Sequence, residues 1–310
     1  MFSFDPLTVG GEGYPLLFQS GETYKGKKLV DSQHPHDLFS GLSIGYSHMV
    51  SKEIDITAYL SYPGEPAIGP VAFMHRPSAL NNPDAPLGHH WQDATHITFG
   101  VATLGVRLWK FKIEGSSFTG REPDESRYNF DQPKFDSYSY RLLFNPNSQL
   151  ALQVSQAFLK SPEAGDPDEN ISRTTGSIIH FVPLAKLNRY LTSTLLWGQN
   201  QGHKEENSFL IESNCQLDKT AVYGRYEWVE KSAGELDMQQ FINGHEPVFK
   251  IQALTIGVSQ VILRKAGNNI AIGAQGSVFI SDTRLKNIYG EYPLSAEIYL
   301  RLYPHLMHIH

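Results

Sequence analysis

The chain has 310 residues, of which 40% are hydrophobic and 19% charged, with a net charge of −6 and 17 Phe, 15 Tyr and 26 Gly. The acidic balance and the lack of any Lys/Arg cluster argue against nucleic acid as a partner. No stretch approaches the roughly 20 consecutive apolar residues of a spanning helix, so any membrane crossing must be made of strands.

Met1 to Phe4 reads as the end of a strand entered part-way through, with no signal peptide visible ahead of it. Asp5 to Asp37 is rich in Gly and Pro, lacks periodicity, and reads as a long surface loop. Leu38 to Val50 is strand-like, and Ser51-Lys52 turns it back into Glu53 to Tyr62. There Ile54, Ile56, Ala58, Leu60 and Tyr62 oppose Glu53, Asp55, Thr57, Tyr59 and Ser61. Pro63 to Ala94 is a second long loop. His96 to Leu108 and Trp109 to Ser116 form the next pair, with Arg121 to Lys134 beyond it.

The rhythm then continues. Phe135 to Phe144 and Gln149 to Leu159 are joined by Asn145-Pro-Asn-Ser, and Lys160 to Asn170 is the fourth loop. Ile171 to Val182 and Leu187 to Trp197 are joined by Pro183-Leu-Ala-Lys, with Gly198 to Glu206 as the fifth loop. Phe209 to Leu217 and Ala221 to Val229 turn at Asp218-Lys-Thr, and the sixth loop runs to about Glu246. Val248 to Leu263 and Ile270 to Ile280 turn at Arg264 to Asn269, and the seventh loop runs to Pro293. The last strand, Leu294 to Tyr303, alternates most cleanly: Leu294, Ala296, Ile298, Leu300 and Leu302 against Ser295, Glu297, Tyr299, Arg301 and Tyr303.

Every second connection is long and every other one is a tight turn. That pattern predicts a single-domain, all-β transmembrane antiparallel barrel of about 14 strands, within a range of about 12–16, with long extracellular loops and short periplasmic turns. The apolar faces then meet lipid, while Asp55, Lys110, Lys112, Glu114, Arg141, Glu212, Arg225, Glu227, Glu297 and Arg301 point into a polar lumen. Cys215, the one cysteine, falls on the apolar side as a packing residue. Tyr62, Trp109, Trp197, Trp228 and Tyr303 lie near strand ends, where an aromatic belt belongs. A large soluble β-protein packing its apolar faces together is the alternative.

Two loops carry most of the histidine, as Gln33-His-Pro-His-Asp37, Met74-His-Arg-Pro77 and His89-His-Trp-Gln-Asp93. Imidazole and carboxylate suit Zn²⁺, Cu²⁺ or Ni²⁺, so His34, His36, His89, His90 and Asp93 are candidate metal ligands if the loops meet on one rim. The spacing matches no defined metal motif, and the preferred account is that these histidines lock irregular coil to the wall. The tail His305-Leu-Met-His-Ile-His310 reads as a frayed terminus. Apolar anchors in the loops (Tyr14, Leu16, Phe18, Phe73, Met74, Trp91) predict that one or both fold into the barrel mouth.

The strings Pro6-Leu-Thr-Val-Gly-Gly-Glu-Gly-Tyr-Pro, Gln33-His-Pro-His-Asp-Leu-Phe, Phe73-Met-His-Arg-Pro-Ser-Ala and His89-His-Trp-Gln-Asp-Ala-Thr-His-Ile-Thr-Phe-Gly resemble a poorly characterised family of Gram-negative outer-membrane β-barrel proteins. Members often carry a His/Met-rich N-terminal extension that this sequence lacks. The resemblance implies the barrel and the outer membrane, and no activity. The expected function is a channel or transporter for a small polar solute, divalent metal ions included, with outer-membrane lipid as its surroundings. The alternatives are a barrel hydrolase with a rim site, for which His180, His203 and His245 are isolated candidates without a Gly-x-Ser-x-Gly motif, or a structural or adhesive barrel. The non-enzymatic reading is preferred.

Overall fold

A computed structural model of the chain describes residues 3–94, 97–185 and 189–304. The N-terminal segment holds a helical turn, α1 (Asp5–Thr8), and two short ladders. One pairs β1 (Tyr14–Pro15) with β4 (Ser32–Gln33), the other β2 (Glu22–Tyr24) with β3 (Lys27–Leu29). Thirteen strands then follow in one antiparallel meander. They are β5 (Ser43–Met49), β6 (Ile54–Ser61), β7 (Val101–Leu108), β8 (Phe111–Phe118), β9 (Ser137–Asn147), β10 (Leu150–Lys160), β11 (Asn170–Pro183), β12 (Arg189–Gln201), β13 (Glu205–Leu217), β14 (Thr220–Ser232), β15 (Val248–Lys265), β16 (Asn268–Ser281) and β17 (Leu294–Pro304). Each pairs with its neighbours in sequence, and no pairing joins β5 to β17 among the described residues.

The turns at one end are tight for local reasons. Ala266 and Gly267 sit at φ 51° and 76°, the two left-handed residues of a type I′ hairpin, and Asp218 (φ 67°) does similar work between β13 and β14. At the other end lie the long connections. The expected fourteenth strand, Met1 to Phe4, is not seen among the described residues: Met1 and Phe2 lie outside them, and Ser3-Phe4 leads into α1, with the Ser3 N–H bonded to the Leu38 carbonyl at 3.1 Å. His96, Lys186, Leu187 and the tail His305–His310 also lie outside the described residues.

Several expected boundaries shift. The fifth loop shrinks to residues 202–204, because the β12–β13 ladder continues from Gly198↔Ser208 to Gln201↔Glu205. Strand β9 runs through Asn145-Pro-Asn147, opposite Leu150 beyond a bulge, so the turn is Ser148-Gln149.

The alternation is real. On one face Leu104, Ile113, Tyr140, Val154, Ile211, Ile256, Ile298 and Leu300 stand exposed. The other face carries Glu114, Ser155, Arg173, Thr194, Glu212, Arg225 and Gln275, all buried although polar. Uncompensated burial of such groups would be costly, so they must face something polar inside a curled sheet. Charges on the outer face are confined to strand ends, as with Glu230 and Lys250, which is the distribution lipid requires. The fold is of the transmembrane antiparallel β-barrel class, its sheet unclosed among the described residues, and no helix among them is long and apolar enough to cross a membrane. Cys215 faces outward and is partly covered, as expected.

The belt is narrower than expected. Trp109 and the Phe209–Trp228 pair (5.6 Å between centroids) fit it. Tyr303 shares the inner face with Arg301, whose guanidinium stacks on its ring at 4.6 Å. Tyr62 packs on Phe99 and Phe130 and donates to the Asp131 carbonyl, as part of the loops. An Ile256→Arg substitution, on the outer face at mid-strand, is expected to destabilise the barrel by about 2–4 kcal/mol in a urea titration in lipid vesicles. A cost near zero would contradict the lipid-facing assignment.

Candidate functional site: the lumen loop and the histidine cluster

The second long loop does not lie on the surface. Between β6 and β7 the chain drops inside the curled sheet, and wall side chains take up its backbone groups. Ser116 on β8 accepts from the Ala67 N–H at 2.8 Å, and Ser155 on β10 accepts from the Gly69 N–H at 2.8 Å. Arg141 on β9 donates to the Gly69 carbonyl (3.0 Å), Arg173 on β11 to that of Asp93 (2.9 Å) and Arg225 on β14 to that of Asp84 (2.8 Å). Glu227 accepts from the Leu87 N–H at 2.6 Å. On β17, Tyr299 donates to the Asn81 carbonyl at 2.6 Å and Arg301 to that of Leu80. One segment therefore meets strands from β8 round to β17. Leu80 and Asn81 lie level with Arg301, three residues from the short-turn end of β17, so the loop spans nearly the full depth.

An ionic centre holds it there. Glu212 on β13 accepts from Arg76 Nε (2.7 Å), Arg225 Nε (3.1 Å) and Ser78 Oγ (2.9 Å), and Arg76 also lies 3.7 Å from Asp93. All of these side chains are essentially inaccessible, so each charge depends on its partners. Nearer the long-loop end the packing becomes apolar. Phe18 from the N-terminal segment, Leu87 and Trp91 from the lumen loop, and Leu236 and Leu285 from the sixth and seventh connections close over Phe249, Ile251 and Phe279.

The loop leaves space on one side. A cavity of about 680 Å³ lies between its Glu65–His75 stretch and the wall from β5 to β9. Lys112, Glu114 and Arg141 face it, with Glu114 bound to Lys112 at 2.8 Å and to Arg141 at 2.7 Å. On the loop side His75 lies 3.4 Å from Glu65. A second cavity, about 230 Å³, lies at the short-turn end beside Leu80, Asn81, Arg264 and Arg301.

Of the predicted lumen residues, Asp55, Lys112, Glu114, Arg141, Arg225, Glu227, Glu297 and Arg301 are on the inner face. Lys110 is not. It falls in the two-residue turn between β7 and β8, its ammonium over the Trp109 ring at 4.7 Å, because the strand ends one pair earlier than the alternation implied. Arg107, Arg173 and Lys231 also face inward. Their strand parity was readable in the sequence, but the expected lumen set left them out.

The predicted metal ligands divide. His34, on the N-terminal segment, meets His89 and His90 of α2 (His89–Gln92), and one ring nitrogen of each lies within 4.8 Å of the other two. His36 stands beside His34 with its ring bound to Asp5 at 2.7 Å. Asp93 turns away to Arg76. Around the cluster, Glu22 lies 3.1 Å from His34 and also receives Arg127, and Glu122 lies 3.2 Å from His90. Burial pushes the Glu22 carboxyl up to about 8, and it also pushes Asp37 up to about 7. Burial opposes the proton on His90, but Glu122 outweighs it and the net direction is upward. At Gly21 (φ 121°) an added Cβ would come within 2.7 Å of the His90 ring, so the backbone lies directly against the imidazole.

The rim-histidine candidates are divided between the two ends of the sheet. His180 is on the outer face opposite Leu150 near a short turn, whereas His203 (3.8 Å from Asp166) and His245 belong to the long-loop end.

No family model matches this sequence, and neither does any curated protein. Solved structures do. OmpF of Salmonella typhi, in a complex with daunomycin, aligns with a TM-score of 0.51 at 9% identity over 92% of this chain and 94% of its own. The loop L8 deletion mutant of OmpT from Vibrio cholerae gives 0.45 at 9% identity, covering 84% and 89%. OpdQ of Pseudomonas aeruginosa gives 0.39 at 8%, covering 85% and 89%. At this identity the likeness to OmpF is one of fold.

Replacing Arg76 with Ala leaves Glu212 with one cationic partner in the lumen, and a loss of about 3–5 kcal/mol in denaturant stability is expected. In a double-mutant cycle, Glu212→Gln should recover part of that loss. Strictly additive losses would mean that the pair does not hold the loop.

Proposed function

We propose that this protein is an outer-membrane channel for a small polar solute, constricted by its own second loop, with passage confined to the cavity beside that loop. The observation that carries this reading is the cavity of about 680 Å³ lined by Lys112, Glu114, Arg141 and the Glu65–His75 stretch. Irregular backbone at membrane depth is tolerated where it lines a cavity of this kind. Both signs of charge face the space, so the wall favours small dipolar or ionic solutes without a strong preference for one sign, and divalent metal ions belong to that class. The resemblance of the sequence strings to a Gram-negative outer-membrane barrel family supports the same compartment. No arrangement of His180, His203 and His245 favours the hydrolase reading.

Planar-bilayer recording tests the proposal. Deleting Glu65 to Pro86 from the folded barrel is expected to raise single-channel conductance several-fold. Arg141→Ala, which removes one cation from the cavity wall, is expected to shift the reversal potential in a salt gradient toward cation selectivity. If neither change alters the current, the loop is no constriction and this cavity is no route.

A further inference from the structure

His34 and the adjacent pair His89 and His90 come from segments more than 50 residues apart, yet they are 3%, 0% and 4% exposed and enclosed together. Their ring centroids lie 4.1 Å (His89–His90), 5.6 Å (His34–His90) and 6.0 Å (His34–His89) apart. What surrounds the rings matters as much as their proximity. Nε2 of His34 is 3.1 Å from Glu22, Nδ1 of His90 is 3.2 Å from Glu122, and Nδ1 of His89 is 2.8 Å from the Pro86 carbonyl. Two carboxylates and a backbone carbonyl therefore flank the three rings. This is the way a carboxylate or carbonyl orients a metal-bound histidine.

We propose that His34, His89 and His90 bind one divalent transition-metal ion of the Zn²⁺, Cu²⁺ or Ni²⁺ class, and that the ion clamps the N-terminal segment to the lumen loop. The donor set selects this class. Three imidazoles suit borderline metals, whereas Ca²⁺ and Mg²⁺ require a shell of oxygens that the cluster does not offer. Bonds of about 2.0–2.1 Å imply nitrogens about 3.3 Å apart in a tetrahedral site, so the rings must draw in from their present spacing. Glu122, beside His90, offsets part of the charge of the ion. A cavity of about 10 Å³, the size of one water, adjoins His34 and His90 together with Glu22, Glu122 and Arg127. His36, tied to Asp5, and Asp93, held by Arg76, take no part. The clamp does not depend on whether a solute passes through the barrel.

The full-length chain, folded in detergent and stripped of metal, is titrated with Zn²⁺ and, separately, Cu²⁺. Elemental analysis should find about one ion per chain, and absorption at the zinc edge should show nitrogen at about 2.0–2.1 Å. Glu122→Gln is expected to weaken binding about 10–100-fold, as loss of an orienting carboxylate does elsewhere, and His34→Ala or His89→Ala more than that. His36→Ala should bind as the parent does. So should a variant with His305, His308 and His310 changed to Ala, which removes the other histidine-rich stretch. Folding of each variant is read from its heat-modifiable gel migration. If a ligand variant does not fold, parent stoichiometry, the zinc-edge spectrum and Glu122→Gln decide. A folded parent that retains no stoichiometric ion at micromolar Zn²⁺ overturns the proposal, leaving His34 and His90 as partners of buried carboxylates alone. Binding that disappears with the tail histidines overturns it as well.

Discussion

The structure depends on how it supplies hydrogen bonds to about thirty residues of irregular backbone held at membrane depth. Lipid cannot do it, and away from the cavity beside β5 to β9 the loop lies directly against the sheet, so the inner wall provides the partners. Ser116, Ser155, Arg141, Arg173, Arg225, Glu227, Tyr299 and Arg301 each reach a backbone group of the lumen loop. This explains why the inner face is so rich in charge for a space that is mostly filled. An open water-filled pore would hydrate its wall, whereas here the wall is desolvated against a peptide. Glu212, between Arg76 and Arg225, sits where the demand is greatest. Removal of either guanidinium would leave a carboxylate with neither solvent nor sufficient counter-charge.

Two chemistries divide the interior by height. Toward the short turns the loop is fastened by ions and hydrogen bonds, and toward the long connections by apolar packing among Phe18, Leu87, Trp91, Phe249 and Phe279. The polar attachments fix register, since each requires its own partner. The apolar cap is less particular, and it links the N-terminal segment, the lumen loop and the sixth and seventh connections in one cluster. The histidines lie at the junction of these regions, where the N-terminal segment meets α2.

The sequence makes the sheet legible, because period-two alternation and the regular exchange of long and short connections are local signals. All thirteen strands of the sheet stand where the alternation puts them, to within about five residues at either end, the largest shifts being the late starts of β5 and β7. Errors arise where a strand ends. Lys110 was assigned by continuing the alternation one pair too far, and Tyr303 by proximity to a terminus without regard to its face. The loops are legible in composition but not in position. Apolar anchors such as Trp91 indicate an ordered loop that folds inward, yet they do not say how deep it goes. The depth is set by pairs such as Ser78–Glu212 and Asn81–Asn214, which lie more than 130 residues apart. The same limit governs the histidines. Composition identified five candidate ligands, and only the three-dimensional path of two loops separates His34, His89 and His90 from His36 and Asp93.

The thirteen-strand count has its own geometric result. In an antiparallel meander of odd number the outermost members, β5 and β17, head the same way, both running from the elaborate end toward the tight turns. Conventional circular closure would need an ascending partner between them, and their direct union would make a parallel seam. Ser43, Gly45 and Ser47 of β5 also border the larger cavity. Among the described residues the β5 margin of the sheet and the proposed solute path thus share a wall, so that a strand paired to that margin would also enclose the path.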